Sequence, residues 1–228
     1  MQIEILNSPG NAAAKVTLDG DEKLVAESGA MIAMSDGIQV TTSTKSKGGG
    51  GFLKGLKRML AGESLFLNTF TAPHEGGEIF LAPDLVGDMV VYELDGTKEL
   101  LVQGTSYVAS DPDVELDTTW QGIKSSLFSG ESMFWLKLSG TGQIILSSFG
   151  GIFERSVGDQ GYIVDTGHIV AFENTLKFNV QKAGKTWFSS IMGGEMLVSR
   201  FQGQGRLFCQ THHPNNFGRT LGPLLKPR

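Results

Sequence analysis

The chain has almost no cysteine and no long hydrophobic run. A single cysteine, Cys209, among 228 residues excludes an intramolecular disulfide and fits a reducing compartment. No apolar stretch approaches the ~18 residues that a membrane-spanning helix needs. The start, Met1-Gln-Ile-Glu-Ile-Leu6, lacks a basic region and resembles a strand, so we expect no secretory signal and a cytoplasmic location.

The motifs of nucleotide-binding enzymes and serine hydrolases are absent as well. The chain contains neither Gly-x-Gly-x-x-Gly nor Gly-x-Ser-x-Gly. Gly184-Lys185-Thr186 resembles the end of a phosphate-binding loop, but Asn179 stands where the first glycine of that loop belongs. The sequence therefore predicts no cofactor.

Glycine, in contrast, is abundant: it accounts for 31 of the 228 residues, against a typical ~7%. It separates short β-branched and aromatic runs at intervals of roughly eight to twelve residues, which is typical of all-β sandwiches and barrels. Asp19-Gly20, Asp36-Gly37 and Asp95-Gly96 are hairpin-turn dipeptides. These patterns predict an all-β fold with at most one or two short helices.

Two motifs recur three times in the same order. The first is a glycine before an apolar cluster, and the second is a Gly-Glu pair followed by two apolar runs. We expect three tandem sheet repeats, 1–95, 96–155 and 156–228, that share one core around a pseudo-threefold axis, because each is short for an independent domain. The first motif begins at Gly29, Gly104 and Gly161, and the second at Gly62-Glu63, Gly130-Glu131 and Gly194-Glu195.

The repeated glutamates have two interpretations. Carboxylates gathered around an axis could hold a cation. A glutamate after a tight glycine turn also accepts backbone N–H bonds and fixes the entry into a strand. Triplication favours the structural interpretation, since catalysis usually needs one asymmetric set of unlike residues.

A glycine-rich basic insert, residues 44–61, interrupts the first repeat. Its apolar residues recur with helical spacing, which predicts a short amphipathic helix within 52–61. Three roles are open: attachment to an anionic membrane surface or a partner protein, contact with nucleic acid, and a plug over one end of the β core. The net charge of −5 argues against nucleic acid as the partner. The contact residues are Lys45, Lys47, Phe52, Lys54, Leu56, Lys57 and Arg58.

A second hypothesis is a metal-dependent enzyme. Asp165 and His168 resemble half of an acid–base pair, and Cys209, His212 and His213 stand close together in sequence. Zinc sites use such residues, but a structural site needs four protein ligands, and the second half of the ligand pattern is missing. We therefore expect a turn aspartate, a hydrogen-bonded histidine and a polar tail.

The chain resembles a widespread family, that of the protein "altered inheritance of mitochondria 24". Three segments carry the resemblance: Gly29-Ala-Met-Ile-Ala-Met, Leu56 to Phe66, and Phe149 to Phe172. The resemblance implies a fold similar to the tryptophan RNA-binding attenuation protein, with three chains of three repeats closing a ring, and no enzyme activity. We therefore predict a non-enzymatic scaffold or binding module that forms a homotrimer, cytoplasmic or peripheral to a membrane. An RNA-binding ring is the alternative.

Overall fold

The computed structural model describes residues 1–43, 66–117, 134–181 and 197–225. The first group of strands spans residues 2–81. In this group β7 pairs antiparallel with β2 and β4, and β6 pairs antiparallel with β3 and β5. β1 pairs with the outer side of β2. The strands are β1 (Gln2–Leu6), β2 (Ala13–Leu18), β3 (Lys23–Glu27), β4 (Met31–Met34), β5 (Gln39–Ser43), β6 (Leu67–Thr71) and β7 (Gly77–Leu81).

The second group is built on one long strand, β12, of 13 residues. The first part of β12 pairs with β9 and β11, and its second part pairs with β8 and β10. The strands are β8 (Met89–Asp95), β9 (Leu100–Gln103), β10 (Tyr107–Ser110), β11 (Val114–Asp117) and β12 (Trp135–Ser147).

In the third group, two separate strands take the place of the one long strand of the second group. β18 pairs with β13 and β15, and β17 pairs with β14 and β16. The strands are β13 (Ile152–Val157), β14 (Tyr162–Asp165), β15 (Ile169–Glu173), β16 (Lys177–Gln181), β17 (Val198–Gln202) and β18 (Gly205–Gln210).

One pairing scheme therefore occurs in all three groups. Counted from β2, β8 and β13, the second-position strands are β3, β9 and β14, and the third-position strands are β4, β10 and β15. The ladder of each third-position strand shifts register at the same place, between Met31/Ala33, Tyr107/Ala109 and Ile169/Ala171. The all-β prediction is confirmed. The pseudo-threefold axis, the likeness to the attenuation protein and the divisions at 95 and 155 stay predictions; by pairing partner, β8 groups with the strands that follow it.

Alternating apolar side chains fill three core clusters, each built mainly from one group of strands and completed by residues of a neighbouring group. Phe70, Tyr107, Phe172 and Phe201 are among the largest fully buried side chains. The Tyr107 hydroxyl lies 3.3 Å from the carbonyl oxygen of Val25 and donates to it, which satisfies a buried polar atom.

A short helix, α1 (Pro214–Leu221), follows the last strand. Proline near the first turn and the His213 side chain, which accepts the N–H of Asn215 at 3.2 Å, start this helix. The sequence analysis did not predict it, and the helix expected within 52–61 falls outside the described residues. Within the described ranges, no helix has the length and apolarity to cross a membrane.

Candidate functional site

Two strand pairings join the three groups to one another. β3 of the first group pairs with β10 of the second, with Ala26 opposite Ala109. β9 of the second group pairs with β15 of the third, with Val102 opposite Ala171. We call these two pairings the closed junctions. Each joins the second-position strand of one group to the third-position strand of the next.

Two strands lack the equivalent pairing. Within the described residues, β4 pairs only with β7, and β14 pairs only with β17. We call their free sides the open edges. Four large apolar side chains on these strands are exposed: Met31 (40%), Ile32 (58%), Met34 (38%) and Ile163 (55%).

At the matching positions of the closed junctions the side chains are buried. Ile32 corresponds to Val108 and Val170, which are 2% and 0% exposed. Ile163 corresponds to Val25 and Leu101, which are 2% and 4% exposed. The exposure of the open edges therefore comes from the missing neighbour and not from polar sequence.

Outer strands such as β5 and β16 are unpaired on one side too, but they are edges in every group. Among the described strands that match those of the closed junctions, only β4 and β14 lack the partner that their counterparts have. An extended edge presents unsatisfied N–H and C=O groups and binds another strand readily. The open edges can therefore each add one β-strand.

The sequence analysis missed these four residues. The signal was present, because Met31, Ile32 and Met34 form one apolar run after Gly29, and Ile163 lies in a second apolar run after Gly161. The structure places the two runs at different positions of the pairing scheme. A motif that is apolar on both faces of its strand requires cover on both faces.

The structure brings three residues of the enzyme hypothesis together. The rings of His168 and His213 lie 5.5 Å apart, and His213 Nε2 is 4.0 Å from an Asp165 carboxylate oxygen. The Asp165 and His168 side chains also have backbone partners. His168 Nδ1 is 2.8 Å from the carbonyl oxygen of Gln210, and the Asp165 carboxylate accepts the N–H of Gly167. Both contacts hold the turn between β14 and β15.

Cys209 and His212 do not join this cluster. Cys209 is fully buried in the third core cluster, and burial raises its pKa to about 12. His212 is exposed on the Phe149 ring, and its Nδ1 lies 2.9 Å from the Thr211 hydroxyl. The described ranges contain no group of three or more histidines, cysteines and carboxylates arranged to hold a metal ion.

The remaining predicted site residues lie outside the described ranges. They are the whole basic insert, with its contact residues from Lys45 to Arg58, and the three Gly-Glu pairs at 62–63, 130–131 and 194–195.

Comparison with known proteins found one family model, one curated relative and one solved structure of interest. The family model described as mitochondrial biogenesis AIM24 matches residues 3–212. The uncharacterized protein M6_Spy0233 of Streptococcus pyogenes serotype M6 is 26% identical over 215 residues, which cover 92% of this chain and 86% of that protein. The crystal structure of SPYM3_0169 from Streptococcus pyogenes matches with a TM-score of 0.78 at 24% identity, over 98% of this chain and 99% of that one.

Proposed function

This chain belongs to the mitochondrial biogenesis AIM24 family, and we propose that it is a non-enzymatic scaffold whose copies assemble head to tail. The β14 edge of one copy pairs with the β4 edge of the next. One observation carries the proposal: both closed junctions join the strand types that the open edges leave unpaired.

The closed junctions also supply the register of the proposed contact. Ala109 and Ala171, the first residues after the register shift, lie opposite Ala26 and Val102. Ala33 holds the same place in β4, and Val164 matches Val102 in β14. Val164 of one copy therefore pairs with Ala33 of the next, and Ile163 pairs with Met34.

The two edges are different surfaces, so the contact is heterologous. Such contacts close into a ring when the rotation between copies allows it and continue as a filament otherwise. The ring implied by the family resemblance contains three chains, and we propose a homotrimer.

The basic insert gives this scaffold a surface for anionic lipid. Its lysines and arginine carry charge opposite to that of the headgroups, and its apolar residues reach the interface. The scaffold would then be peripheral to a membrane. RNA binding, the alternative, predicts a filter-binding signal at low salt that charge removal abolishes.

Light scattering of purified protein tests the assembly. We expect a mass three times the 24.5 kDa of one chain, and we expect Ile163→Lys to reduce it to one chain. Val40→Lys is the matched control, because Val40 is 43% exposed on β5, an outer strand whose counterparts are also unpaired. A monomeric wild type at micromolar concentration, or an Ile163→Lys protein of unchanged mass, contradicts the proposal.

A further inference from the structure

A cavity of about 270 Å³ lies between the first and second groups of strands. The turn Glu27–Ala30 forms one side, and the start of β10 and the end of β12 form the other. Its volume is near the lower end of small-molecule sites. The side chains that matter below are Glu27, Asp84, Ser106, Val108, Ser147 and Phe149.

Among the described residues, the cavity is lined by two acids and by no base. Glu27 and Asp84 line it, and none of its lining residues is lysine, arginine or histidine. Within the described part of the chain, the half-buried Glu27 carboxylate has no hydrogen-bond or ion-pair partner. Burial, with a smaller contribution from Asp84, raises its pKa to about 7. Glu27 in turn contributes to the raised pKa of the Tyr107 hydroxyl.

Two buried hydroxyls line the same space. Ser106 and Ser147 are each 3% exposed, and neither hydroxyl has a hydrogen-bond partner among the residues that the structure describes. By contrast, the neighbouring Ser148 hydroxyl donates to the carbonyl of Gly150 at 2.8 Å. Neither hydroxyl is among the fully enclosed atoms that lack a partner, so both oxygens are reached from the cavity and can accept a hydrogen bond from a group bound there.

In the other two groups of strands, side-chain rings fill the turns that match the one at Glu27. The Phe134 ring fills the space beside Gly104, and the His213 ring fills the space beside Gly167. The Asp165 carboxylate, which matches Glu27, accepts the N–H of Gly167 at 3.2 Å. At Glu27, in contrast, the turn carboxylate lines the cavity together with Ser106 and Ser147.

We propose that this cavity binds a small primary amine. Its ammonium group is held between Glu27 and Asp84, it donates hydrogen bonds to Ser106 and Ser147, and its apolar body lies against Val108 and Phe149. Glu27, Ser106 and Ser147 do not lie on β4 or β14, so we expect the site to be independent of the assembly of copies. An amine fits better than a metal ion, because the described residues offer no group of three metal-binding side chains here.

Calorimetry with tyramine at pH 8, where the Glu27 carboxylate is ionised, tests the site. We expect tyramine to bind wild type and its neutral analogue 4-ethylphenol not to bind. Glu27→Gln should weaken tyramine binding about tenfold or more, since it removes a charge-assisted contact. The matched control Glu93→Gln, on the exposed face of β8, should leave the affinity unchanged. The tyramine affinity of wild type should also fall as the pH drops below 7.

Three results overturn the inference: no tyramine binding at millimolar concentration, equal binding of 4-ethylphenol, or an unchanged affinity of Glu27→Gln. Competition by CaCl2 at the same site would replace the amine with a divalent cation. If Glu27→Gln fails to fold, Ser147→Ala serves instead, with a smaller loss of affinity. The mass of each variant should equal that of wild type, which separates failure of this site from failure of the assembly.

Discussion

The closed junctions and the open edges place similar residues in opposite environments. Phe172 on β15 and Met34 on β4 hold the same place after the register shift, yet Phe172 is 1% exposed and Met34 is 38% exposed. The local sequence does not decide which is covered, because both are large and apolar. The exposure is decided by whether the strand has a second pairing partner within the same chain.

The largest effect should come from truncation at a closed junction. Phe172→Ala removes a ring that packs on Trp135, Phe178 and Phe201, and we expect it to lower the free energy of unfolding by about 3–5 kcal/mol. Met34→Ala, made in the Ile163→Lys background, should cost less than about 1 kcal/mol. Urea unfolding measures both. Equal losses of unfolding free energy would contradict the difference in burial between the two positions.

The second effect concerns the charged network at a closed junction. Glu173 is 1% exposed, and it pairs with Lys98 at 2.9 Å and with Arg206 at 3.1 Å, while the Tyr92 hydroxyl donates to it at 3.0 Å. Glu173→Gln leaves the two cations without their carboxylate and should cost about 3 kcal/mol at pH 7 by thermal or urea unfolding. Glu154→Gln, an exposed partner of Arg206 at 3.8 Å, is the control and should cost under about 1 kcal/mol.

The pKa of Glu173 sets the pH dependence. Burial opposes its ionisation, but the hydrogen bonds from Lys98 and Arg206 outweigh burial and lower the pKa below 4.5. The stabilisation is therefore fully present above the unfolded-state pKa of 4.5 and is lost as the pH falls through the lower folded-state pKa. Between wild type and Glu173→Gln, the difference in unfolding free energy should shrink in that acidic window and not above it.

Variants of the basic insert test the proposed membrane attachment separately from the proposed assembly. Lys54, Lys57 and Arg58 changed together to Gln should remove up to about 3 kcal/mol of attraction to anionic vesicles and leave the mass of the assembly unchanged. Sedimentation with phosphatidylserine vesicles at low salt measures the loss, and added salt should reproduce it in wild type. If the insert only plugs the core, the charge changes should be silent, and Phe52→Ser with Leu56→Ser should lower thermal stability without lipid.

The smallest expected effect is a gain of stability. Because the folded-state pKa of Glu27 is raised from 4.5 to about 7, the folded protein binds the proton more tightly than the unfolded chain. Stability from this group is present below pH 4.5 and declines as the pH rises through about 7. Glu27→Gln should therefore unfold with about 1–2 kcal/mol more free energy than wild type at pH 8, after allowance for solvent screening, and with little difference at pH 4.5.

Sequence reasoning predicted the strands and the family well, because alternating burial is a local property. Ala14, Val16 and Leu18 are buried on one face of β2, as their spacing indicates. The open edges at Ile32 and Ile163 were not predicted, since an edge is defined by a distant neighbour. The cavity at Glu27 was missed for the same reason: its walls come from distant parts of the chain. Helix α1 was missed because its residues are mostly polar, so the helix start at His213 and Pro214 was interpreted as part of a polar tail.

The difference between the two open edges has a genetic consequence. Under the proposed assembly, a copy altered at Ile163 loses its β14 edge but keeps an intact β4 edge. It therefore joins a wild-type copy through β4, and no further copy can be added at its β14 edge. In the proposed trimer, a mixed ring cannot close, because one of its junctions lacks an intact β14 edge. Loss-of-edge alleles should therefore be dominant over wild type when both are expressed in one cell. An allele altered at both edges should be recessive, since its product joins nothing.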